Sequence, residues 1–332
     1  MLHCFTTFAV FSAYLFEMIT YYVKRAGKVI TTPEPVEGGW VNIEPPFSQE
    51  ELEEVAARFF IPLDFLTDAL DIDERSRYER EDDARLIMLN GPVLNEFEDD
   101  NDAIFITVPI GVILVPDYVI TVSAYENPIL ELFAENRIKN FDPANQPLFV
   151  LQIMEQTVYR YLNCLKQLNM RRHLIEKELY HSSRNEELKQ LLSIEKTLVY
   201  FVNSLSANEL LKMKIKRTDF LGIRHDEDLS DLFEDIIIDN NQAMEMSRVY
   251  TEILNGTMDA YGSIISNNLN IVMQRLTLIT IILMVPTLVA SFYGMNVHLP
   301  FQEHPFAFYH LIVISVVLSL LVAWYFQRKR MF

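Results

Sequence analysis

The chain has 332 residues, half of them hydrophobic, with 9 Gly, 14 Pro and 2 Cys, too long for one small domain and too apolar for disorder. Its formal charge of −18 disfavours binding nucleic acid through phosphates. Two cysteines, Cys4 and Cys164, make no disulfide framework, and neither G-x-G-x-x-G nor G-x-x-x-x-G-K-[ST] occurs to cradle a nucleotide.

In chain order, residues 1–17 hold an apolar run, Cys4 to Phe16, that lacks a basic leader and is short for a membrane span. Met18 reads as the natural start, with 1–17 upstream of it; a membrane-contacting segment is the alternative. Residues 18–125 mix strands and helices. Ile19–Lys24 and Lys28–Thr32 flank the turn Arg25-Ala26-Gly27. Trp40–Ile43 is a further strand, and Ser48 with Glu51 forms a capping box before a helix over Leu52–Phe60. Leu86–Leu89, Ala103–Val108, Ile110–Leu114 and Tyr118–Val122 are short strands, broken by Asn90-Gly91-Pro92 and Pro116-Asp117. The fold class is an α+β domain, a sheet with helices.

From 126 to 228 the strands stop, and Leu148 to Lys216 reads as two long helices with much solvated surface. Apolar residues from Leu229 to Leu276 recur at steps of three and four, without proline before Pro286, so one helix runs over 229–293. It is ~96 Å long to residue 292 at ~1.5 Å per residue. Its apolar stripe is best buried against copies of itself, which predicts an oligomer. Gly256 and Gly262 are places for close approach or flexing, or are simply tolerated.

Leu276 to Phe292 and Phe306 to Phe326 are without charge and suit two membrane spans; two buried core helices are the alternative. The second ends in Trp324-Tyr325-Phe326 and a basic tail over 327–332 with Arg328, Lys329 and Arg330. Arg275 precedes the first span, and the loop 294–305 between them has no Lys or Arg, so both termini are expected in the cytoplasm and the loop outside. Asn270, Met273, Leu276, Thr280, Met284, Thr287 and Ser291 lie 3, 3, 4, 4, 3 and 4 residues apart, the period of a left-handed supercoil. Such an uncharged stripe lines an axis between copies, or merely packs helix against helix.

The stripe ends in Tyr293-Gly294-Met295-Asn296. In this position, after a long helix and between two C-terminal spans, Y-G-M-N resembles the signature of the CorA magnesium transporters, and the resemblance extends over residues 18–332. It implies a funnel-shaped homopentamer in the cell (inner) membrane, conducting Mg2+ and in some members Co2+ or Ni2+, driven by the membrane potential, and not an enzyme. It implies a selectivity filter at Gly294, Met295 and Asn296. It implies an inner polar ring and hydrophobic gate at Asn270, Met273 and Leu276, and further pore rings at Met284 and Thr287. Asp235 and Asp259 match acidic stalk positions, the former a cytosolic metal-sensing site where Mg2+ acts as regulator as well as substrate; Glu96 and Glu98 are candidate partners. No other cofactor is implied. Val285 before Pro286 departs from the family pattern, and the loop carries Glu303 as its lone acid, with His298 and His304 nearby. A zinc, cobalt or nickel transporter of the same architecture, and a non-conducting membrane-anchored scaffold, are the other readings.

Two further signals carry no chemistry. Asp71-Ile72-Asp73 opens like a calcium loop, but Ser76 stands where its glycine belongs. Asn255-Gly256-Thr257 is a glycosylation sequon on the expected cytosolic helix.

Overall fold

The computed structural model describes residues 19–95, 103–179, 185–295 and 305–329. Residues 1–18, Glu96, Glu98, Asn296, His298, Glu303, His304 and Arg330 lie outside them. The chain forms two compact units, which divide inside one helix at Gly256–Thr257.

The first unit is built on seven strands: β1 (Ile19–Arg25), β2 (Lys28–Thr32), β3 (Gly39–Ile43), β4 (Arg77–Glu81), β5 (Ala84–Leu94), β6 (Phe105–Val115) and β7 (Tyr118–Ser123). They form one sheet in the order β2-β1-β3-β7-β6-β5-β4. Only β3 and β7 pair in parallel; every other pairing is antiparallel. Side chains alternate between the faces with the period of two that a strand imposes. Trp40, Ile87, Leu89, Ile110, Val112 and Leu114 face one core. Val41, Ile43, Leu86, Met88 and Ile113 face the other.

The second of these cores is closed by α1 (Gln49–Phe59) and α2 (Leu63–Thr67). The capping box is present as expected: Glu51 N–H donates to Ser48 Oγ, and Ser48 N–H to Glu51 Oε2. The first core is closed by α3 (Pro128–Ala134), α4 (Gln146–Leu179), α5 (Asn185–Thr218) and the start of α6 (Glu227–Tyr293). Trp40 is wholly buried there, stacked on Tyr22 at 4.5 Å and edge-on to Phe133, Phe141 and Phe149. Its indole N–H donates to Thr121 Oγ1 at 2.7 Å.

The break expected at Asn90-Gly91-Pro92 does not occur; β5 runs through it. Asn90 pairs in register with Pro109, which has no N–H for the ladder. Asn208 Nδ2 and Tyr161 Oη donate to the Asn90 carbonyl instead, at 2.8 and 3.0 Å, and Asn208 Oδ1 accepts the Asn90 N–H at 3.0 Å. Two helical side chains thus replace the missing partner and keep the strand whole. Ser76, which displaced the calcium-loop glycine, donates to the same Asn208 Oδ1 at 2.7 Å.

Helix α6 has 67 residues and starts where Asp226 Oδ1 accepts the Leu229 N–H at 3.1 Å, a side-chain cap. It continues through Pro286. The second unit holds its C-terminal part and α7 (Ala307–Arg328). Both helices are long and apolar enough to cross a membrane, with 6% of each apolar window buried, so the alternative of two core helices fails.

Candidate functional site

Within the second unit the two sides of α6 differ. Leu278 is 3% exposed, and Ile282, Val285, Pro286 and Val289 are half-buried. On α7, the other helix described there, Ser315 is buried and Leu311, Ser319, Val322 and Ala323 are half-buried. The stripe Asn270, Met273, Leu276, Thr280, Met284, Thr287 and Ser291 lies on the opposite side and is exposed throughout; Met284 is 63% exposed. A helix turns about 100° per residue, which sets these two sets nearly back to back.

The stripe is longer than its sequence reading. Asp259, Ser263, Ser266 and Asn270, spaced by 4, 3 and 4, line an open groove with Gly262 on the same helix. Thr277 belongs to it as well. Asn270, Met273, Thr277, Thr280, Met284, Thr287 and Ser291 step by 3, 4, 3, 4, 3 and 4, an unbroken heptad alternation. Leu276 is adjacent to Thr277 and is exposed with it. Thr277, Thr280 and Thr287 each donate their hydroxyl proton to the carbonyl four residues back, at 2.8, 2.9 and 3.2 Å. What these side chains offer outward is an oxygen with lone pairs and no donor.

At its end α6 closes with Gly294 N–H donating to Ala290 O at 3.0 Å and Met295 N–H to Phe292 O at 3.3 Å. Gly294 has no left-handed φ, and a Cβ there would meet Ala290 O at 3.4 Å and Ser291 O at 3.5 Å, ordinary contacts. Within one chain, therefore, the backbone does not demand glycine at the motif. Gly256 and Gly262 likewise have nothing within 4 Å of a built Cβ.

In the first unit Asp235 is exposed on α6. Tyr159, on α4, reports its surroundings: partial burial, then the charge of Glu155, then Asp239, then Asp235 hold the phenol above its ordinary range. Its hydroxyl lies 3.5 Å from Glu155 Oε1. Asp239, one turn along α6 from Asp235, and Glu155 on α4 thus act on the same phenol as Asp235, and neither is singled out by sequence. The candidates Glu96 and Glu98 lie outside the described residues. Among the described residues no three Asp, Glu, His or Cys side chains come together closely enough to hold a metal ion.

The arrangement is a long helix with one half-buried aliphatic side and an exposed, uncharged opposite side that carries Asn270, Thr277, Thr280, Thr287 and Ser291 among Met273, Leu276 and Met284. Comparison with known proteins agrees with this organisation. A cobalt/magnesium transport protein CorA of Methanocaldococcus jannaschii is 28% identical over 300 residues, 87% of this chain and 90% of that one. The corresponding protein of Thermotoga maritima is 22% identical, covering 88% and 82%. The complete structure of the CorA magnesium transporter from M. jannaschii superimposes with a TM-score of 0.76 at 24% identity, over 94% of this chain and 98% of that chain. The family model of CorA-like Mg2+ transporter proteins matches residues 38–329, and with two apolar spans, a mixed sheet and one 67-residue helix the chain belongs to that family.

Proposed function

We propose that several copies of this chain, five by the family resemblance, enclose a passage for hydrated Mg2+, with Co2+ as a second cargo, and that the exposed stripe of α6 lines it. The observation that carries this reading is the opposition of the two sides: the amide and hydroxyl groups lie on an exposed side, opposite the half-buried aliphatic one. Water bound to a divalent cation turns its hydrogens outward, so a wall suited to the aqua ion must accept hydrogen bonds. Thr277, Thr280 and Thr287 have already given their protons to α6 carbonyls and can only accept. Magnesium sheds water reluctantly, and neutral acceptors hold its hydration shell without trapping the ion. The wall discriminates against anions, whose hydration shells need donors.

At the outer end, Gly294 and Met295 offer carbonyls and Asn296 an amide oxygen to the same shell. A Cβ at Gly294 is excluded by crowding at the axis rather than by the backbone. Met273 and Leu276, 54% and 57% exposed in one chain, meet their counterparts there as an apolar constriction that dewets when narrow. Glu303 supplies the loop's single negative charge. Transport needs no nucleotide: a dication gains about 4.6 kcal/mol per 100 mV. Both termini face the cytoplasm of the cell membrane in this account.

Asp235, with Asp239 and Glu155 acting on the same phenol, and Asp259 are assigned to regulation. Magnesium bridging such carboxylates to a neighbouring copy holds the bundle shut, and its loss leaves like charges to loosen it. Purified protein in liposomes tests the reading. Wild-type protein takes up Mg2+, and Asn296→Ala abolishes selective uptake at equal incorporation. Wild-type rates in the variant overturn the filter assignment.

A further inference from the structure

Lys212 of α5 is 1% exposed. Its Nζ donates to Asn240 Oδ1 of α6 at 2.7 Å, and Asn240 Nδ2 donates onward to the Leu205 carbonyl of α5 at 3.1 Å. Among the described residues this is the only hydrogen bond of the amine, and no carboxylate pairs with it. An ammonium has three protons to place, and a buried charge without a partner is costly, whereas a neutral amine is at ease with one acceptor. Burial lowers Lys212 to about 7, Glu209 of its own helix opposing the shift. Among the described residues none of the other acids of α4 and α6 forms an ion pair with Lys212. On α6, Glu234 pairs with Lys216, while Asp235 and Asp239 act on Tyr159; on α4, Glu155 does the same.

We propose that Lys212 and Asn240 form a proton-operated latch: with the amine neutral the α5–α6 seam is closed, and uptake of a proton opens it. The latch stands on the first unit alone and does not depend on the transport reading. Its sign follows from linkage. A solvated lysine titrates at 10.5 and the closed one at about 7. Between those values the opened form binds the extra proton, so opening gains about tenfold for each pH unit of acidification. Below about 7 both forms are protonated and the dependence flattens.

Hydrogen exchange on the full-length protein in lipid nanodiscs reads the seam directly, in peptides spanning residues 205–215 and 236–244, after correction for intrinsic exchange. Protection in the wild type should fall about tenfold from roughly pH 8.5 to 7.5 and level off below about pH 7. Lys212→Met, of similar length and uncharged, should be protected equally at all these values. Asn240→Asp, which gives the ammonium a carboxylate, should also flatten the profile. A flat wild-type profile overturns the latch whether or not the variants fold. An unchanged slope in either folded variant overturns it too.

Discussion

The two units put the same residue types to opposite uses. Up to Gly256, Leu, Ile, Val and Phe are packed on both faces of a sheet, and Trp40, Leu66, Leu86, Ile113 and Phe149 have essentially no exposed surface. From Thr257 on, Leu276, Leu283, Leu288, Leu320 and Trp324 are each more than half exposed. A water-soluble surface does not carry apolar area on this scale; it belongs against lipid or against copies of the same chain. Within the second unit the division repeats on a finer scale, since the half-buried side of α6 is aliphatic and the exposed stripe carries amide and hydroxyl groups together with Met273, Leu276 and Met284.

Substitutions can break this contrast in order of size. Trp40→Ala, which empties an aromatic cluster and removes the indole donor to Thr121 Oγ1, should cost about 3–5 kcal/mol and be seen as a large fall in the first unit's unfolding midpoint. A loss below 1 kcal/mol would mean that the cluster is not the anchor of that unit. Leu318→Arg places a charge midway along α7 and should cost about 2.5–3.5 kcal/mol of insertion, read as lost membrane incorporation. Normal incorporation would contradict α7 as a span. Thr280→Val keeps shape and removes the oxygen, so Mg2+ flux should drop about tenfold, roughly 1.4 kcal/mol, while Thr280→Ser stays close to wild type. A role in packing alone predicts the reverse, with valine tolerated and serine harmful. Ser48→Ala removes a helix cap and should cost about 1 kcal/mol without touching flux.

Much of this was legible in the sequence, for reasons that differ by region. The turn Arg25-Ala26-Gly27 between two β-rich runs exposed β1 and β2, and the Ser48–Glu51 spacing announced α1, because those signals are local. The strand β5 was misread at Asn90-Gly91-Pro92 because its continuity rests on Asn208 and Tyr161, far along the chain. That Glu155 of α4 and Asp235 of α6 act on the same Tyr159 phenol was hidden for the same reason, since they lie far apart along the chain. Thr277 is a different case. The heptad spacing that includes it was present in the sequence and was not read beside the stripe through Leu276. The burial of Leu278 and half-burial of Val285, which set one side of α6 apart from the stripe, needed three dimensions.

The central claim is that the oxygen stripe of α6 borders water. The most direct measurement is cysteine accessibility along α6 in liposomes, in a chain whose Cys4 and Cys164 are replaced by serine. Cysteines at Thr280 and Thr287 should react with a small, membrane-impermeant cationic thiol reagent, and the reaction should block Mg2+ uptake. Cysteines at Ile282 and Val289, on the half-buried side, should stay unmodified and leave uptake unchanged. Equal reactivity on both sides, or a stripe that never reacts while Mg2+ still enters, would contradict the account.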